Sequence, residues 1–147
     1  MNFERSFEYL KSREGQIILN SPSDAGNFLK PKLVEVEKGR AVMEVEVRKE
    51  MCNGYGKIHG GMMTLIADEC IGWALFSLDN NQFYTSVNLT MDFLYSVDIG
   101  EKVIADAKVV RVGKRITYVN VQLFNQNGLH LANCTSNLIV TQLTPLS

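Results

Sequence analysis

The fold is decided by residues 53–78, which begin as the loop NGYGKIHGG (53–61) and continue as the run MMTLIADECIGWALFSL (62–78). Four glycines and the lack of a helical period are typical of a loop, because glycine adopts backbone angles that other residues avoid. The second part is charged only at Asp68 and Glu69. A helix that is apolar on nearly every side is buried, and two adjacent acids make a poor membrane span. We therefore expect a soluble protein built around one buried helix that starts near residues 60–61.

Composition restricts the classes of function. A chain of 147 residues fits a single domain, 1–147, with a sizeable core. The net charge of −1 gives no electrostatic reason to expect nucleic acid or an anionic membrane as a partner. Cys52, Cys70 and Cys134 have no metal-ligand spacing, so we expect no metal. Without a secretory segment at the N-terminus, the simplest location is the reducing cytoplasm.

Alternating apolar and polar residues predict β-strands on both sides of the helix. The expected strands are 33–37 and 43–48, which form a hairpin, and then 86–93, 101–112, 115–125 and 129–141. We expect the last four to form a meander. A short amphipathic helix is predicted over residues 2–12 with Asn2 as its cap, and residues 21–27 are predicted to be a loop.

One buried helix needs a surface that wraps it. A strongly curved antiparallel sheet of about six strands can do this with its apolar faces turned inward, so we expect an α+β fold. Residues 115–125 are partly apolar on both faces, which predicts a homo-oligomer.

The segment Asn53-x-x-Gly56-x-x-His59-Gly60-Gly61, followed by Asp68, resembles the signature of the PaaI-type acyl-CoA thioesterases. Their hot-dog fold is a curved sheet around one central helix, and the likeness covers about residues 33–142. The resemblance implies hydrolysis of a CoA thioester by water without a metal, and no cofactor, since CoA is part of the substrate. It also implies a site shared between two subunits of a homodimer, often within a homotetramer.

The chemistry of hydrolysis gives the loop residues candidate roles. A helix that begins at Gly60 offers unpaired N–H groups and the positive end of its dipole, so the Gly60 N–H is a candidate donor to the oxyanion. Asn53 could add a side-chain N–H donor or could only stabilise the turn. His59 could hold the loop, or contact the carbonyl or the leaving thiolate.

Asp68 is the candidate base or nucleophile, with a buried structural acid as the alternative. Gly60 and Asp68 are eight residues apart, about 12 Å along one helix, whereas a base, its water and the carbonyl need contacts of ~3 Å. One chain's Gly60 and Asp68 therefore cannot easily serve one thioester. Either Asp68 is structural or the second subunit supplies its own Asp68. Glu69 points about 100° away and is expected to be ion-paired or solvated.

Further candidates lie outside the helix. Ser86 matches a serine that helps to hold the water in some relatives of the family, although alternation places it with Asn88 on the polar face of its strand. A basic cluster around the Gly113 turn could meet the phosphates of CoA or could be a solvated hairpin tip. Its members are Lys108, Arg111, Lys114 and Arg115.

The leading function is acyl-CoA thioesterase with an aromatic or medium-chain acyl group. One alternative is a hot-dog enoyl-CoA hydratase or dehydratase, which would need a His–acid pair at another spacing. Another is a non-catalytic acyl-CoA-binding or sensor module, which usually carries an added DNA-binding segment.

Overall fold

A computed structural model describes residues 5–142. The elements in chain order are α1 (Ser6–Ser12), α2 (Asp24–Leu29), β1 (Lys32–Glu37), β2 (Arg40–Glu46), a 3-10 turn (Lys49–Met51), α3 (Gly60–Phe76), β3 (Phe83–Phe93), β4 (Lys102–Val112), β5 (Thr117–Asn125) and β6 (His130–Thr141). The predicted strands and the predicted central helix are therefore confirmed, with shifts at their ends.

The six strands form one antiparallel sheet in the order β1-β2-β4-β5-β6-β3. Helix α3 packs across its inner face, against β2, β4, β5 and β3. The face of α3 that packs on the sheet is fully buried and includes Ile66, Ala67, Cys70 and Ala74. The α+β hot-dog architecture expected from the sequence is confirmed.

The predicted four-strand meander is wrong. Of the last four strands, β4, β5 and β6 are neighbours in chain order, whereas β3 pairs with β6 at the far edge and β4 pairs with β2. Because α3 separates β2 from β3 in the chain and lies across the sheet, the chain crosses from one side to the other before β3 begins. The sheet therefore has β1 and β3 at its edges, and residues 15–18 cover the β1 edge with backbone hydrogen bonds to residues 31–33.

Helix α3 ends at Phe76, two residues before the predicted Leu78, because Ser77 closes its C-terminus. The Ser77 hydroxyl donates to the Ala74 carbonyl at 2.6 Å and accepts from the Gly39 N–H at 2.8 Å. Gly39 has φ +78° in the predicted β1–β2 turn. The C-terminal end of α3 is thus tied to that hairpin.

The predicted loop at 21–27 is partly wrong, because α2 begins inside it. Ser23 accepts from the Gly26 N–H and so caps the new helix. The N-terminal helix is confirmed over Ser6–Ser12, while the proposed Asn2 cap lies outside the described residues.

The outward face of β5 has the partly exposed Tyr118 and Phe124 with polar residues between them. The predicted homo-oligomer stays a prediction.

Candidate active site

The loop before α3 is held by the side chain of Asn53. Its Oδ1 accepts hydrogen bonds from the N–H groups of Tyr55 at 2.9 Å and Lys57 at 3.3 Å. These two donors fix which end of the amide is oxygen. Both sequence-based interpretations of Asn53 are therefore compatible, because the oxygen stabilises the turn while the Nδ2 donors remain available. Gly56 has φ +73°, a conformation that requires glycine in this turn.

His59 is the N-cap of α3. It has extended backbone angles (φ −66°, ψ 136°), and its Nδ1 accepts from the Gly61 N–H at 2.9 Å. Since Nδ1 is an acceptor, the ring proton lies on Nε2, which points away from the cap. A Cβ on Gly61 would come within 3.0 Å of Nδ1, so glycine at 61 keeps the cap possible.

The Gly60 N–H is the free donor at this end of the helix. Gly61 donates to His59, and the N–H groups of Met62 and Met63 donate to the His59 carbonyl. Within residues 5–142 no group accepts from the Gly60 N–H. An unpaired N–H at the positive end of a seventeen-residue helix is a ready site for a developing negative charge.

Asp68 lies on the same helix, eight residues after Gly60, so the distance of about 12 Å along the axis holds in the structure. Its side chain reaches solvent, yet burial by the surrounding protein raises the pKa of its carboxyl. Burial also raises the pKa of the Cys134 thiol to about 12, and the charge of Asp68 adds to this effect. Asp68 therefore lies near Cys134 on β6, towards the β3 edge of the sheet.

Among residues 5–142 Glu69 has no ion pair, and it is only partly exposed, so that expectation is corrected. Its Oε1 accepts from the Ser23 hydroxyl at 2.6 Å, and its Oε2 lies 2.4 Å from where a Cβ on Gly26 would be. Burial raises the pKa of its carboxyl, and the neighbouring charge of Asp68 adds to this. Glu69 thus fixes α2 on α3. The Ser-Asp pair at residues 23–24 is the sequence signal that indicates such a capped helix.

Ser86 lies on the inner face of the sheet, contrary to the strict alternation. It pairs with the buried Leu138, and its hydroxyl is 3.5 Å from that of Ser136, which is 0% exposed. The register of β3 shifts between Ser86 and Asn88, where an irregularity inserts one residue. This shift returns Ser86 to the face that carries Leu89, because a bulge changes which residues share a side.

The candidate residues thus form two groups. The donor group, at the start of α3, contains Asn53, His59 and Gly60. The acid group contains Asp68 and Ser86. Asp68, in the middle of α3, lies near Cys134 on β6. Ser86 lies beside Ser136, which is two residues after Cys134 on the same strand. Within one chain the length of half a helix separates the two groups.

The basic cluster at residues 108–115 is exposed and lies at the other end of the molecule from Gly60. Val109 donates to the carbonyl of Gly39, which in turn is bonded to Ser77 at the end of α3. Gly60 is about 24 Å away along the helix axis. The structure therefore does not bring Lys108, Arg111, Lys114 and Arg115 to the donor group of the same chain.

Within the described residues 5–142, no group of three or more His, Cys, Asp or Glu side chains could hold a metal ion. Across the same residues, no helix has the length and apolar character needed to span a membrane.

The sequence matches known proteins over this region. The profile of the thioesterase superfamily matches residues 55–132. Human acyl-coenzyme A thioesterase 13 is 27% identical over 113 residues, which are 74% of this chain and 81% of the human protein. The Escherichia coli acyl-coenzyme A thioesterase PaaI is 29% identical over 96 residues, which are 64% of this chain and 66% of that protein.

Solved structures agree on the architecture. E. coli PaaI covers 93% of this chain and 94% of its own with a TM-score of 0.75 and 20% identity. The smu.793 protein of Streptococcus mutans, solved with acetyl CoA, covers 76% of this chain and 88% of its own with a TM-score of 0.71 and 26% identity. The family profile spans more than half of the chain, including the donor group from His59 and the acid group. The chain therefore belongs to the thioesterase superfamily, as a thioester hydrolase with the PaaI-type hot-dog fold.

Proposed function

We propose that the protein is an acyl-CoA thioesterase that hydrolyses a CoA thioester to a free acid and CoA. The observation that carries this proposal is the Gly60 N–H at the start of α3, which has no acceptor within residues 5–142. Such a donor matches the needs of a thioester carbonyl whose oxygen becomes negative during attack, and the Nδ2 group of Asn53, in the loop before the helix, is the proposed second donor.

In the proposed reaction the thioester oxygen lies on the Gly60 N–H, and the Asn53 amide is the second donor. A water molecule loses a proton to the Asp68 carboxylate and attacks the carbonyl carbon. The C–S bond then breaks, and the thiolate of CoA leaves with the proton that Asp68 took from the water, which returns Asp68 to its carboxylate form. The His59 Nε2–H faces away from its cap and is the candidate hydrogen-bond donor to the carbonyl or to that sulfur, without transfer of its proton.

Direct attack by Asp68 is the other route, in which an acyl-enzyme anhydride forms and water then hydrolyses it. The two routes differ in the source of oxygen. In H₂¹⁸O under single-turnover conditions, direct attack followed by hydrolysis at the Asp68 carbonyl carbon transfers an unlabelled Asp68 oxygen to the product acid, so unlabelled acid identifies the direct route. Attack by water places ¹⁸O in the acid at the first turnover.

The acid in this site comes from Asp68 of the partner subunit, because one chain separates its own two groups by about 12 Å. Two features support a partner at this edge. Strand β3 is an eleven-residue edge strand whose side chains are mostly exposed, and such an edge can pair with another strand. Asp68 also reaches solvent on this side of the sheet. A two-fold axis near the middle of β3 would complete two sites at once.

The finer points of the proposal concern substrate and assembly. We propose an aromatic or medium-chain acyl group and a homodimer that associates into a homotetramer. Because the basic cluster at 108–115 is far from Gly60 of its own chain, any contact with the phosphates of CoA would come from another subunit. Charge removal at Lys114 and Arg115 tests this contact through the KM for acyl-CoA compared with the KM for an acyl-pantetheine thioester.

Neither alternative gains support. The chain has two histidines; the His59 Nδ1 is occupied by the helix cap, and His130 stacks on Phe124 on β5. Against the part of the chain that the structure describes, residues 5–142, neither histidine forms the His–acid pair that a hydratase requires. The segment before β1 is occupied by α1 and α2, both of which pack on the hot-dog core, so the described residues leave no separate DNA-binding unit there.

The test is a panel of aromatic and aliphatic acyl-CoA thioesters with a thiol-detecting dye. We expect wild-type turnover and a large loss in Asp68→Asn. Two inactive variants, Gly60→Pro and Asp68→Asn, should regain partial activity when they are mixed and allowed to re-associate. Verified mixed dimers without activity would contradict the shared site, and a wild-type protein inactive on every thioester would contradict the function.

A further inference from the structure

We propose that Phe93 is the positioning residue for the thioester carbonyl at Gly60, an inference that rests on the function proposed above. Three carbons of its ring, Cζ, Cε1 and Cε2, lie 3.4, 3.6 and 3.9 Å from the position of a Cβ on Gly60. The tip of the ring is therefore in contact range of the one residue at the start of α3 whose N–H has no acceptor within residues 5–142.

The position of Phe93 in the sheet explains this contact. It is the last residue of β3 and pairs with Ala132, which is fully buried, so its ring projects onto the inner face of the sheet. There it meets α3, and glycine at 60 leaves room for the ring to approach the backbone. The contact joins the end of the open edge strand to the donor group.

The ring is also unusually exposed for its size. Phe93 is 55% exposed, although its neighbour in the sheet is covered. An apolar wall beside a few convergent polar donors is the usual composition of a small-molecule site. A ligand that reached the Gly60 N–H would cover the ring and displace water from the donor.

The orientation of the ring limits the approach of a carbonyl. The distances from the Gly60 Cβ position to Cζ, Cε1 and Cε2 are nearly equal, so the face of the ring near Cζ lies over that position. The ring is thus an apolar wall beside Gly60, and it would restrict the directions from which the carbonyl reaches the N–H.

Removal of the ring should leave the donor in place and loosen the substrate. For Phe93→Ala we expect kcat to fall roughly 10- to 100-fold, since small displacements at a reacting centre have effects of this order. The KM for acyl-CoA should change less, because the CoA part is bound elsewhere. Phe93→Leu should recover part of kcat by restoring an apolar wall.

The matched control is Leu94→Ala, which removes an adjacent apolar side chain that is 49% exposed. Its kcat should stay near that of the wild type. Sedimentation confirms that each variant has the assembly state of the wild type, so that a lost interface is not mistaken for lost positioning. If Phe93→Ala matched Leu94→Ala in kcat and KM, the inference would be wrong while the proposed thioesterase activity stood.

A double-mutant cycle separates positioning from a purely structural role. If Phe93 acts through the Gly60 N–H, Phe93→Ala should have little further effect on kcat in a Gly60→Pro background. Losses that multiply fully would show that the ring acts independently of that donor, and would overturn the inference. A wild-type protein without activity on any thioester would instead refute the proposed function, and the inference with it.

Discussion

The Nδ1 atom of His59 accepts the N–H of Gly61 at 2.9 Å, so one side chain both caps the central helix and presents its second nitrogen at the candidate site. The cap uses the N–H that follows Gly60 and leaves the Gly60 donor unpaired. Helix stability and the availability of the donor therefore depend on the same imidazole.

The two roles of His59 can be separated by substitution. His59→Asn keeps a good N-cap but removes the Nε2–H, whereas His59→Ala removes both and should cost about 1 kcal/mol of stability. We expect His59→Asn to melt near the wild-type temperature and to lose roughly 10- to 100-fold in kcat, a range typical of a lost acid–base or polar contact. Wild-type kcat in His59→Asn would limit His59 to capping.

The Gly60 N–H can be removed almost alone. Proline lacks this hydrogen and is favoured at the first position of a helix, and the extended His59 backbone suits a residue before proline. Gly60→Pro should therefore fold and lose about 100- to 1,000-fold in kcat, as for other oxyanion donors.

Gly60→Ala is the control for that experiment. Its Cβ would lie 3.4 Å from the Phe93 ring, an ordinary contact, and it keeps the N–H. Its kcat should remain within about tenfold of the wild type, because the donor is intact. Equal losses in the two variants would mean that space, and not the hydrogen bond, matters at residue 60.

Asn53→Asp tests the proposed second donor. The substitution preserves the oxygen that accepts from Tyr55 and Lys57, so the turn should persist and the melting temperature should change little. It removes the Nδ2–H donors and places a negative charge beside the developing oxyanion. We expect a loss of about 100-fold or more in kcat, measured by thiol release. A stable, fully active variant would leave Asn53 with a role in the turn only.

The sequence predicts features that depend on neighbouring residues better than features that depend on contacts between distant parts of the chain. Strand alternation and the apolar helix are local patterns, and they place four of the six strands within two residues of their observed starts and the other two within three. The pairing of β3 with β6 is a long-range contact that no local pattern contains. For this reason the predicted meander failed although its strands were confirmed.

The site shows the same limit at the scale of single residues. The spacing of His59, Gly60 and Asp68 follows from one helix and could be deduced. The inward orientation of Ser86 depends on an irregularity of β3 that alternation does not contain, and the contact of Phe93 with Gly60 depends on how the sheet wraps the helix. Glu69 is expected to be ion-paired or solvated from its angle to Asp68 alone, because its partner Ser23 caps a helix that local composition predicts as a loop.

The link between α2 and α3 should contribute to stability. Ser23→Ala removes both the cap of α2 and the hydroxyl that donates to Glu69, which would leave a half-buried carboxylate without this partner. The expected cost is about 1–3 kcal/mol, measured by chemical denaturation. Ser12→Ala, which removes an exposed hydroxyl bonded only to the Tyr9 carbonyl, is the control and should cost less than about 0.5 kcal/mol.

Removal of the Asp68 charge by substitution should lower the activity and raise the stability of the protein. Burial raises the pKa of this carboxyl above its ordinary 3.8, so the folded protein disfavours the charged form. Below the ordinary pKa the group is protonated in both folded and unfolded chains and costs nothing. As pH rises through the ordinary and then the raised pKa, the folded state acquires a penalty that persists at neutral pH. Asp68→Asn should thus stabilise the protein at pH 7 but not near pH 3, by less than about 1 kcal/mol because solvent screens the side chain.

The wild-type kcat/KM should meanwhile fall on acidification through the raised pKa, since protonation removes the proposed base. The residual kcat/KM of Asp68→Asn should not show this fall on acidification. Melting curves and thiol-release rates collected across this pH range on both proteins provide the measurement. A stability gain that is as large at pH 3 as at pH 7 would show that packing, and not charge, distinguishes the two side chains. If kcat/KM of Asp68→Asn still fell at acidic pH, the fall would come from the titration of another group.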